Sequence, residues 1–150
     1  MKIPFSVLPS SPNAAFPDRR ERDRPIVALY LSRGDKAVVA YALVDSGADS
    51  CVFPASVARS LDIEIPNERA AIFSGSLSES QVAYFAELEA MILPMESEVI
   101  DADQEPISFS LYAGFCETLE HVGMGLLGHD GFFSRFRVCF HAGERYFEVV

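Results

Sequence analysis

The sequence predicts a mostly β fold: a small closed barrel, or a sandwich close to one, with one or two short helices. Three observations predict it. Short apolar runs rich in β-prone residues are separated by turn chemistry. Several of those runs alternate apolar and polar residues. Only brief stretches carry helical spacing. The 150 residues, 49% hydrophobic and 23% charged, suit one globular domain with little left for a second.

Residues 1–25 read as a flexible tail, with the folded domain over 26–150. Prolines stand at positions 4, 9, 12, 17 and 25. Asp18 to Arg24 is an unbroken charged run of mixed sign, expected to stay solvated or to pack as an arm on a partner subunit. Lys2 is followed by a short apolar stretch broken by Pro4 and Pro9, which does not suit a signal segment.

From Ile26 the pattern becomes one of strands. Ile26 to Leu31 is apolar, Ser32-Arg33-Gly34-Asp35 is a turn, and Ala37 to Val44 is a continuous apolar run. These predict a hairpin whose second strand is buried on both faces. Cys51-Val52-Phe53 predicts a short strand, and Pro54 suits the first turn of a helix with Val57 and Leu61 on one face. Val82, Tyr84, Ala86, Leu88, Ala90 and Ile92 occupy every second position of another strand. Ile107, Phe109 and Leu111 alternate with serines, and Phe136, Val138 and Phe140 alternate near the end. Gly143 predicts a turn into a last strand, Tyr146 to Val150.

Charge excludes whole classes of function. The net charge of −10 opposes a nucleic-acid partner and an anionic membrane surface alike. No apolar run reaches the roughly 18 residues of a spanning helix. Cys51, Cys116 and Cys139 are too few for a disulfide framework, so free thiols in a cytoplasmic protein are expected. Residues 60–134 hold fourteen acids and one basic residue, Arg69, and within them the solvated acidic loop of Glu96, Glu98, Asp101, Asp103 and Glu105 would, as the rim of a cleft, favour basic peptides.

The chemistry concentrates in Ala42-Leu43-Val44-Asp45-Ser46-Gly47-Ala48. A buried strand ends there in an acid, a hydroxyl residue and a glycine, which pushes a carboxylate out of the core on a tight turn. Gly47 lets the backbone turn and be approached closely. Downstream, Leu126-Leu127-Gly128-His129-Asp130 reads as a strand passing close to the acid loop, and Gly131-Phe132-Phe133 as a short helix.

In these two segments the chain resembles the retropepsin-like aspartic proteases, nearer the cellular and bacterial single-domain members than the viral ones. Leu43 to Asp49 and Leu126 to Asp130 match that family's two motifs in order and spacing, and the resemblance runs from about Pro25 to Val150. It implies a barrel of the retropepsin type and peptide-bond hydrolysis with no cofactor and no metal. It makes Asp45 the catalytic carboxylate, with Ser46 and Gly47 completing the catalytic motif. Ser46 would link the loops of two subunits, and Gly47 would also bond the substrate backbone. Ala48, Asp49 and Leu127 would border the substrate. A flap would lie within Ile72 to Gln81, with Ser74, Gly75 and Ser76 over the cleft. Outside the motif, His129 is expected to pair with Asp49.

The chain holds no second Asp-Ser/Thr-Gly, so the resemblance implies a homodimer with one Asp45 from each subunit. The alternative is a catalytically silent member of the same fold, serving dimerisation or peptide binding. Other chemistries fit less well. The Cys and His residues show no Cys-x-x-Cys or His-x-x-x-His spacing, and no Gly-x-Ser-x-Gly is present. The acids from Glu96 to Glu105 lack an EF-hand layout. Asp45 to Ser50 also matches a phosphodegron pattern, but apolar strands flank it.

Overall fold

The computed structural model describes residues 1–64, 70–74, 80–96, 99–100 and 102–150. The first residues already differ from the expected tail. They form β1 (Lys2–Pro4), β2 (Ser6–Pro9) and β3 (Glu21–Arg24), where β2 and β3 pair with each other and β1 pairs near the C-terminus. The run from Asp18 to Arg22 is exposed, as expected of mixed charges.

β4 (Ile26–Arg33) and β5 (Lys36–Val44) make the predicted hairpin around the Gly34 turn, where φ is +61°. β6 (Val52–Pro54) leads directly into α1 (Ala55–Ser60), which buries Val57 and Ala58, with Leu61 buried just beyond it. β7 (Ala70–Ser74) and β8 (Ser80–Leu93) form a second hairpin in the register Ser74 to Ser80. β9 (Met95–Glu96) pairs with β10 (Val99–Ile100), and β11 (Ile107–Cys116) returns along β8. β12 (Gly125–Leu127), β13 (Val138–His141) and β14 (Tyr146–Val149) complete the chain.

Six strands close on themselves in the order β11-β6-β12-β5-β4-β8, with β8 paired back to β11, so the fold is a closed β-barrel. β7 extends it beyond β8. Closure leaves one interior, filled by Leu29, Leu31, Phe53, Ile92, Leu111 and Leu127, all at most 1% exposed. Each such side chain contributes roughly 2 kcal/mol relative to exposure. β1, β14 and β13 form a separate three-stranded sheet whose Ile3, Phe147 and Val149 join the same core.

Two expectations change. β5 is not buried on both faces: Ala40, Ala42 and Val44 point inward, while Val39 is 51% and Tyr41 49% exposed. A small closed barrel has an inside and an outside, so even an apolar strand alternates. β8 shifts phase along its length. Ala86, Leu88, Ala90 and Ile92 face the barrel, but at the other end Ala83 is buried and Val82 exposed. There Ala83 packs in a second cluster with Val52 and Cys116.

The helix expected after Gly131 is a series of turns, with Phe136 N–H on the Phe132 carbonyl as its helical hydrogen bond. Besides α1, the described residues hold short 3-10 turns at Glu117–Leu119 and Ala142–Glu144. At the latter, Arg145 rather than Gly143 takes the left-handed conformation, at φ +60°. Among the described residues no helix is long and apolar enough to cross a membrane.

Candidate active site

Asp45 stands one residue past the end of β5, where the barrel parity forces the chain outward. β5 runs parallel to β12, with Leu43 opposite Leu126 and Val44 opposite Leu127. The Asp45 N–H continues that pairing by donating to the Leu127 carbonyl at 3.1 Å. The Leu-Leu-Gly segment therefore lies beside the acid loop, as its sequence predicts.

The turn closes tightly. Ala48 N–H donates to the Asp45 carbonyl at 3.1 Å, and Gly47 N–H donates to Asp45 Oδ1 at 2.9 Å. This is the side-chain-to-backbone geometry that Asp favours in turns. Among the described residues the second carboxylate oxygen of Asp45 has no hydrogen-bond partner. Asp45 and Ala48 are half-buried, while Ser46, Gly47 and Asp49 are exposed.

The two segments then run on side by side. His129 N–H donates to the Ala48 carbonyl at 2.9 Å, Asp130 N–H to the Asp49 carbonyl at 2.7 Å, and Cys51 N–H to the Asp130 carbonyl at 3.3 Å. Ser50 and Asp130 form a parallel bridge. Gly128 is wedged between the strands. A Cβ there would lie 2.5 Å from the Ser50 carbonyl oxygen and 2.6 Å from that of Ala48.

Beneath the turn, Cys51 is fully buried, with its Sγ 3.9 Å from the Gly128 carbonyl. Burial pushes its thiol up to about 11, and the Asp130 charge adds to the rise against the lowering by the Gly128 contact. Cys51 is thus an inert core thiol. Cys116 is also buried and Cys139 half-buried, all three free. No group of three or more His, Cys, Asp or Glu converges to hold a metal ion among the described residues.

The sequence-predicted residues divide as follows. Asp45, Ser46, Gly47, Ala48 and Asp49 share one turn. Leu127 joins them through its carbonyl alone, because its side chain is fully buried and cannot border a substrate. His129 does not pair with Asp49. Its ring Nε2 lies 2.9 Å from the Ser46 carbonyl, while Asp49 uses its own carbonyl to hold Asp130. Ser74 ends β7 at the mouth of the β7–β8 hairpin, and Gly75 and Ser76 lie outside the described residues. Sequence reasoning reads Cys51 as the start of the next strand but misses Ser50 as the continuation of the loop pairing, since isolated bridges leave no periodic trace. Gly128 was the available signal, marking a close backbone approach.

One cavity, of about 510 Å³, lies under the N-terminal strands between Phe5, Leu8, Ile26, Tyr41 and Met124. A second, about 210 Å³, lies between Val39, Tyr41 and Val57. Neither touches Asp45. No model of a known protein family matches the chain, and no curated protein is significantly similar to it.

Proposed function

We propose that the chain is an aspartic endopeptidase of the retropepsin type, active as a homodimer in which each subunit supplies one Asp45. The observation that carries this reading is the pairing of the Asp45 turn with the Leu127-Gly128 segment. It holds one carboxylate on a surface turn, anchored through Oδ1 and with its other oxygen unpartnered among the described residues.

Acid–base hydrolysis of an amide needs a group to take a proton from water and another to give one to the carbonyl oxygen. One turn supplies one acid, so the second comes from a copy of the chain. Two carboxylates about 3 Å apart cannot both ionise and share a proton. The ionised member draws a proton from a bound water as that water attacks the scissile carbon. The protonated member donates to the carbonyl oxygen. As the tetrahedral intermediate collapses, the carboxyl that took the water proton passes it to the amide nitrogen. The other carboxylate takes one back from an intermediate hydroxyl, releasing amine and carboxylic acid without a covalent enzyme adduct. The pair titrates as a unit with two macroscopic values.

A further feature supports the reading. Ser46 and Gly47 are exposed, as a loop that meets its symmetry mate must be. The β7–β8 hairpin serves as the flap. The free thiols fit a reducing, cytoplasmic setting.

The test is digestion of a diverse peptide library from about pH 4 to 7, read by mass spectrometry, with Asp45→Asn in parallel. The reading expects cleavage by the wild type and none by the variant. Equal cleavage by both would remove Asp45 from the chemistry. Peptide binding by a dimeric wild type without turnover would assign the chain to a binding module.

A further inference from the structure

We propose that His129 is a positioning residue for the Asp45 turn, donating from Nε2 to the Ser46 carbonyl and so fixing the peptide plane that holds the carboxylate. Its kinetic consequence rests on Asp45 being the reacting acid; the contact itself does not.

The Ser46 carbonyl and the Gly47 N–H belong to one planar peptide unit and point in opposite directions. His129 Nε2 lies 2.9 Å from the oxygen end, and Asp45 Oδ1 lies 2.9 Å from the nitrogen end. Holding one end therefore aims the other. A carbonyl oxygen only accepts, so Nε2 carries the proton, in the neutral ring and in the imidazolium alike. The same residue also grips the far side of Gly47, through its backbone N–H on the Ala48 carbonyl at 2.9 Å. Glycine adds no side-chain restraint of its own, so this plane depends on outside partners.

His129 is exposed, and water competes for such a contact. Its placement offsets that. The ring packs against Phe133 at a centroid distance of 5.4 Å, and the His129 carbonyl accepts from Ser134 N–H at 2.9 Å. Ring and backbone are thus held before the bond to Ser46 forms.

Nitrogen-15 NMR of the wild-type protein at about pH 8 reads the tautomer directly. The expected result is a protonated Nε2 and an unprotonated Nδ1 at His129. His129→Leu should raise the exchange rate of the Gly47 amide on the order of tenfold. His129→Gln, whose amide nitrogen reaches the Nε2 position, should restore it. With a cleavable peptide, kcat should fall in the Leu variant with KM little changed, and recover in the Gln variant. A proton on Nδ1 with none on Nε2, or Gly47 exchange unchanged in a folded Leu variant, would overturn the proposal. The tautomer measurement needs no variant, so loss of folding does not obscure it. An inactive wild type with the expected NMR results would count against the protease reading and leave the brace standing.

Discussion

Gly128 occupies a place with no room for a side chain. A methyl group would press on the carbonyl oxygens of Ala48 and Ser50, backbone atoms that cannot swing away. Gly128→Ala should therefore destabilise the fold by about 3 kcal/mol, at the upper end of overpacking costs, seen as a lower urea midpoint. Cys51 gives a residue-scale dependence on pH. The native state keeps its thiol protonated up to about 11, whereas the unfolded chain releases the proton near 9.0. The unfolded state binds fewer protons between those values, so the stability is full below the lower and declines toward the higher. The decline should reach at most about 3 kcal/mol in urea titrations and lose this component in Cys51→Ala. The acid turn was legible in the sequence because Asp, Ser and Gly after an apolar strand have a local reason to turn. The partner of His129 was not. Asp49 offered a charge, but the ring reaches a backbone carbonyl that has no sequence signature.

At the scale of elements, α1 borrows its cap from elsewhere in the chain. Pro54 gives it no side-chain hydrogen bond, and the Ser56 N–H is instead taken by Glu120 Oε1. Arg59 ties the arrangement down, with 2.9 Å contacts to Glu117 and Glu120. The Ser56 backbone bond, aided by Arg59, holds the Glu120 carboxyl below its ordinary range. A lowered value means that the cap's stabilisation is present at neutral pH and is lost as acid titrates Glu120. The protection of the Ser56 amide, measured against its intrinsic exchange rate at each pH, should fall on acidification, and in Glu120→Gln that protection should no longer respond to the titration. The β4–β5 hairpin and α1 were legible because each completes its pattern within a few residues. The pairing of β6 with β11 and β12 was not, since strands of three residues gain their meaning from neighbours far along the chain.

At the scale of the whole fold, the first strand pairs with the last in a sheet beside the barrel. Met1 exchanges two backbone hydrogen bonds with Val149, at 2.8 and 2.9 Å. Ile3 is 4% exposed, and the Phe5 ring lies 5.8 Å from that of Phe147. Prolines and charge made this segment read as a tail; its partner strand, more than a hundred residues away, is what orders it. Deleting residues 1–5 should lower the Tm by roughly 10 °C, where a free tail would leave it unchanged. The central claim also belongs to this scale, because a site shared between copies cannot be read from one chain. Mixing wild-type and Asp45→Asn chains at equal amounts, with time to exchange subunits and total protein fixed, tests it most directly. If each site takes one Asp45 from each subunit, peptide hydrolysis falls to about one quarter of the all-wild-type rate, the fraction of dimers with both acids. A fall to about one half, the result for a site complete within each chain, would contradict the account.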